Sequence, residues 1–112
     1  MLRVIVVTLP DGRLKSFSAI GHAGGKKAGE NIPCAAATAL LRTAARLLAS
    51  VDGLLENGSA DEPGQMSLAV SASADRHGQW LAGVTDFLLK GLNDLAREYP
   101  REIFIRIDRM PV

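Results

Sequence analysis

Hydrophobic and polar positions change their period along this chain, and each change marks an element. Residues 2–8 (Leu-Arg-Val-Ile-Val-Val-Thr) are rich in β-branched side chains and predict a first strand. Pro10-Asp11-Gly12 is a turn signal. Arg13 to Ala19 then predicts the second strand of a hairpin, with Leu14 and Phe17 among polar neighbours. From Ile20 to Pro33 the pattern breaks up. Gly21, Gly24, Gly25 and Gly29 fall in this stretch, which predicts a flexible loop of the kind that carries binding and catalytic residues.

A long helix is expected from about Ile32 to Leu55. Its polar positions Thr38, Arg42, Arg46 and Ser50 recur every four residues and form one narrow stripe, while nearly everything else is Ala, Leu or Val. A helix so apolar needs cover on more than one side, from the second helix alone or from a second subunit. Residues 57–64 (Asn-Gly-Ser-Ala-Asp-Glu-Pro-Gly) read as a polar connector. Met66 to Ala74 alternates strictly and predicts a third strand, with Ser67, Ser71 and Ser73 on its wet face. Gly78 to Tyr99 predicts a second helix that ends at Pro100, with Trp80, Val84, Phe87, Leu88, Leu92, Leu95 and Tyr99 on a core-facing stripe. Arg101 to Asp108 alternates again and predicts a fourth strand.

The expected order is β-β-α-β-α-β: an α+β two-layer sandwich with two helices on one face of a four-stranded sheet. At 112 residues the chain is expected to be one domain, 1–112. Thirteen basic and 12 acidic residues give a net charge of +1, which offers no general attraction to phosphate backbones. No nucleic-acid binding is therefore expected. No stretch reads as a signal peptide or as about 20 apolar residues able to span a membrane, so a cytoplasmic protein is expected. One cysteine and no cluster of ligating residues leave no metal site or cofactor to anticipate.

The candidate chemistry centres on Cys34. Asn31 suits a helix N-cap, and Pro33 is tolerated in a first turn, so Cys34 belongs at the start of the long helix. There the positive end of the helix dipole favours a thiolate, and unbonded N–H groups can receive an oxyanion. His22, on the glycine-rich loop, is the residue type that takes a thiol's proton and returns it to a leaving amine. The bland alternative is a small buried cysteine and a solvated histidine. His77 belongs to a polar turn, and Lys26-Lys27 after the glycines matches no phosphate-binding loop.

Gly21-His22-Ala23-Gly24, then residues 29–36 (Gly-Glu-Asn-Ile-Pro-Cys-Ala-Ala), then Thr38-Ala39-Leu40, resemble the ribosomal-processing cysteine proteases called Prp. The opening hairpin, Tyr99-Pro100 and Ile103-Phe104-Ile105 extend the likeness over essentially the whole chain. The resemblance implies a cytoplasmic thiol protease, generally a homodimer, that removes the N-terminal extension of ribosomal protein L27. It implies His22 and Cys34 as the catalytic pair. Asn31 stands where the family usually has aspartate, and Pro33 where it has valine. Asn31 can cap the helix or orient the imidazole of His22. The alternative is a non-catalytic, ribosome-associated binding module of the same fold.

Overall fold

The computed structural model describes residues 1–21, 32–59, 64–71 and 76–111. Strand β1 (Leu2–Thr8) buries Leu2, Val4, Val6 and Thr8 on one face, as its period of two requires. It turns through residues 9–13 into β2 (Leu14–Ile20). Gly12 takes the left-handed conformation the turn needs (φ 91°). The Asp11 carboxylate accepts from the Arg13 backbone N–H at 3.0 Å and from Arg13 Nε at 2.7 Å. The backbone N–H bond is the main cause that holds the Asp11 carboxyl below its ordinary range. Helix α1 (Ile32–Ala49) follows, then β3 (Leu55–Ser59), β4 (Gln65–Val70), α2 (Gly78–Glu98) and β5 (Ile103–Arg109).

These elements correct the expected four-stranded β-β-α-β-α-β arrangement. The order is β-β-α-β-β-α-β, and the sheet is five-stranded and mixed, in the order β3-β4-β2-β1-β5. All its neighbours are antiparallel except β1 and β5. The error lies where the first helix ends. It stops at Ala49 rather than Leu55, because Ser50 closes the last turn: its Oγ donates to the Leu47 carbonyl at 2.6 Å. Gly53 then reverses the chain at φ 76°. Leu54, read as the helix's last turn, plugs the core at 1% exposure, and its carbonyl accepts from the Ser71 N–H at 2.7 Å.

Leu55, expected at the end of the helix, and Asn57-Gly58-Ser59, expected in the polar connector, instead pair with β4. An edge strand tolerates this composition, since only one of its sides has a ladder to satisfy and, past Leu55, which packs against the core, its side chains are exposed.

Both helices pack on one face of the sheet. From α1, Pro33, Ala37, Leu41, Ala44 and Leu48 point inward; from α2, Leu81, Thr85, Leu88 and Leu92 do. The inward stripe of α2 is therefore rotated from the expected one: Leu88 and Leu92 belong to it, but Trp80 and Phe87 are 39% and 74% exposed. Thr85 hides the true stripe, because a hydroxyl there reads as polar. Its Oγ1 donates to the Leu81 carbonyl at 2.7 Å and accepts from the Leu14 N–H at 3.0 Å, close to the irregularity in the β1–β2 ladder. A buried hydroxyl with both bonds made ties α2 to the hairpin. Helix α1, at 18 residues, is also long and apolar enough by composition to cross a membrane, contrary to the expectation that no stretch would be. Its five inward residues make it a core helix of this layer.

Candidate active site

Strand directions decide what meets at each end of the sheet. At one end lie the start of β1, the end of β2, the end of β3, the start of β4 and the first turn of α1. Cys34 occupies that first turn and is partly buried. Pro33 beside it is buried and needs no hydrogen-bond partner for its nitrogen there, while Ile32 is 72% exposed. The expected placement of the cysteine at the start of the long helix holds.

Gly21 closes β2 at the same end. Its φ is 108°, and a Cβ there would run into the Met1 carbonyl oxygen, so the position accepts glycine alone without rearrangement. Its N–H donates to the Gly64 carbonyl at 2.9 Å, joining the chain just before residues 22–31 to the chain just after residues 60–63. Gly64 also has positive φ, 80°. A left-handed residue thus stands where each segment meets the sheet, and one hydrogen bond ties the two together. His22, Gly24, Gly25, Gly29 and Asn31 lie outside the described residues, and so does the expected flexible loop.

The same end carries a feature the sequence pattern did not single out. Ser18, Ser67 and Ser59 pair in one row across β2, β4 and β3. With Ile20 and Gln65 they line a concavity of about 340 Å³. Phe17, Ala19 and Leu68, which alternate with these side chains, are buried against the helices, so the concavity opens on the sheet's uncovered face. Its signal in the sequence is the alternation of serine with apolar residues in β2 and β4, which reads first as a wet face. Among the described residues there is no group of three or more His, Cys, Asp or Glu side chains arranged to hold a metal ion.

The larger cavity, about 990 Å³, is an apolar groove on the outer side of the α1–α2 pair, lined among others by Ala36, Leu40, Leu47, Trp80, Val84 and Phe87. It runs along the helices from Ala36 and Glu98, at the Cys34 end, to Leu47 and Trp80 at the other.

Residues 1–104 match the family of cysteine protease Prp. No curated protein matches the chain. Among solved structures, the essential ribosomal processing protease Prp from S. aureus, in complex with a covalently linked product peptide, superposes with a TM-score of 0.79 at 19% identity, over 96% of this chain and 100% of that one. The same protease with a substrate peptide gives 0.75 at 18%, again over 96% and 100%. SMU.848 from Streptococcus mutans gives 0.78 at 22%, over 98% of this chain and 96% of the other.

Proposed function

The chain belongs to the Prp family and is a cysteine protease, and from that premise we propose that Cys34 is its nucleophile and His22 the base that serves it. The observation that carries this reading is the position of the chain's single cysteine in the first turn of α1, at the sheet end where Gly21 leads into the segment holding His22. The whole chain, 1–112, then acts as one catalytic domain.

The reaction follows from those roles. His22 takes the Cys34 proton, and the sulfur attacks the scissile carbonyl to form a tetrahedral oxyanion. First-turn N–H groups, those of Cys34 and Ala35, face the charge as it develops. Collapse breaks the C–N bond, and the imidazolium returns its proton to the departing amine. Water, deprotonated by the same imidazole, then hydrolyses the thioester and restores the thiol. Asn31 caps α1 or holds the imidazole in its working orientation. As a side-chain acceptor at a helix start it is nearly equivalent to the aspartate that the family usually carries.

The substrate in this reading is an extended peptide, the N-terminal extension of ribosomal protein L27. The S. aureus relative, described as a ribosomal processing protease, and the matching motif residues support that choice. A ribosomal substrate makes the cytoplasm the place of action. We also read the active protein as a homodimer, since the outer side of the helix pair exposes large apolar side chains.

The test is Cys34→Ala. It is expected to lower cleavage of a peptide spanning the L27 processing junction by about three orders of magnitude or more, with the thermal melt retained. Undiminished cleavage overturns the assignment. Loss of folding instead identifies Cys34 as a packing residue.

A further inference from the structure

Of the two edges of the sheet, one lies beside the helix that carries Cys34. Helix α2 packs over β5 and β2, which leaves α1 to the side of β4 and β3. Strand β3 is therefore the edge beside α1, and its Ser59 end lies at the Cys34 end of the sheet. The two halves of this edge are built in opposite ways. The half away from Cys34 is blunted. Glu56 is the extra residue of a bulge between Leu55 and Asn57. Lys15 Nζ stands 4.0 Å from its carboxylate and donates to the Val70 carbonyl at 3.1 Å. Bulges and charged side chains are the means by which a sheet edge is kept from pairing with another chain. The half towards Cys34, Asn57-Gly58-Ser59, carries neither charge nor proline, keeps its register and is exposed.

The ladder fixes where the backbone of this half points. Antiparallel pairs alternate between residues that bond each other and residues whose N–H and carbonyl face away. The Ser71 N–H donates to the Leu54 carbonyl at 2.7 Å, which makes those two a bonded pair. Counted from there through the bulge, with Glu56 and Asn57 together opposite Ala69, Gly58 and Leu68 are a pair of the second kind. The spacing agrees: a Cβ on Gly58 would lie 3.7 Å from the Leu68 Cβ, the close approach that marks such pairs. The N–H and carbonyl of Gly58 thus point out of the sheet edge, at a residue with no side chain to hold a second backbone away. We propose that the substrate peptide adds to this edge as a short sixth strand, its backbone bonded to the N–H and carbonyl of Gly58 while the chain runs on to Cys34. The proposal rests on the protease reading above and adds how the peptide is held extended. Three residues of edge are too few for a second subunit, whose contact needs on the order of 1,000 Å². They suit a peptide that is held at the thiol as well. Three residues of extended chain beyond Gly58 span about 10 Å, the spacing between packed layers. Because these bonds go to backbone, the edge sets the peptide's conformation without selecting its side chains.

Hydrogen exchange and kinetics on the intact protein test this. In Cys34→Ala saturated with a peptide spanning the L27 processing junction, exchange of the Gly58 amide is expected to slow at least about tenfold. In the otherwise wild-type protein, Gly58→Pro removes the outward N–H and breaks no bond within the sheet, a substitution that an edge strand tolerates. It is expected to keep its thermal melt and to raise KM for that peptide about tenfold, with kcat changed less. If Gly58→Pro does not fold, the exchange measurement stands without it. Unchanged Gly58 exchange in the saturated complex, or a folded Gly58→Pro with unchanged KM, overturns the edge pairing and leaves the protease reading. A wild type that does not cleave the peptide overturns the reading on which the proposal rests, and the proposal with it.

Discussion

The inner and outer faces of the same two helices follow different rules. On the inner face every large side chain has a neighbour: Leu41, Leu48, Leu81, Leu88 and Leu92 are at most 2% exposed, and the one polar residue among them, Thr85, makes a hydrogen bond as donor and another as acceptor. On the outer face Leu47, Trp80 and Phe87 stand 44%, 39% and 74% exposed around an open groove, with a helix glycine that packs against nothing. The first face is consistent with the requirements of folding alone, where apolar area is removed from water and polar groups are satisfied. The second departs from them. A stretch of chain that ignores the needs of its own fold is a place to look for a second molecule.

Truncation at the two faces should separate these roles, with the largest effect inside. Leu88→Ala removes a side chain only 1% exposed and should lower unfolding stability by about 2–5 kcal/mol, the transfer and cavity cost of such a deletion. Leu47→Ala, facing out on α1, should change it by less than about 1 kcal/mol, measured in a Phe87→Ser background chosen to disfavour the proposed pairing. Urea unfolding at constant m-value reads both. Equal losses at the two positions would abolish the distinction between the faces.

A smaller effect tests whether the inner face depends on its hydroxyl. Thr85→Val keeps the shape but leaves the buried Leu14 N–H without its acceptor, and should cost about 1–3 kcal/mol. Hydrogen exchange at the Leu14 amide should accelerate more than at amides elsewhere in β2. If stability is unchanged, the link from α2 to the hairpin is dispensable and shape alone holds the inner face.

The same contrast explains what could be read from the sequence. Strand β1 was legible from its β-branched side chains, and β2, β4 and helix α2 from their hydrophobic patterns. Strand β5, an edge strand that buries only Ile103 fully, was legible because Ile103, Ile105 and Ile107 still recur at every second position, and the turn at Pro10-Asp11-Gly12 carried its own signal. Strand β3 did not, because beyond Leu55 its side chains leave no period: Glu56, Asn57, Gly58 and Ser59 are all exposed. The inward stripe of α2 was misplaced because Thr85 masks its centre while Phe87 and Trp80 mimic a core. Such mimicry arises whenever a surface is built to be covered by something outside the chain. At the candidate site, the place of Cys34 was legible because capping chemistry marks helix starts. The serine row across β2, β4 and β3 was not, since its members come together only through the register of three strands, one of them β3.

The smallest effect is the one whose sign divides the two faces most sharply. In the same Phe87→Ser background, Gly83→Ala should stabilise the fold by about 0.5–1 kcal/mol, because a Cβ there meets nothing within 4 Å and alanine is the better helix former. In the wild-type background, if a second copy covers this face as proposed, that gain should shrink or reverse, since the methyl group then lies under the covering chain. The difference between backgrounds is a coupling energy between Gly83 and Phe87, four residues apart on one helix and not expected to be large within a single chain. A gain of the same size in both backgrounds would mean that nothing covers Gly83. Gly83 would then be a helix defect, and the outer face would lose the feature that sets it apart from an ordinary solvent-facing surface.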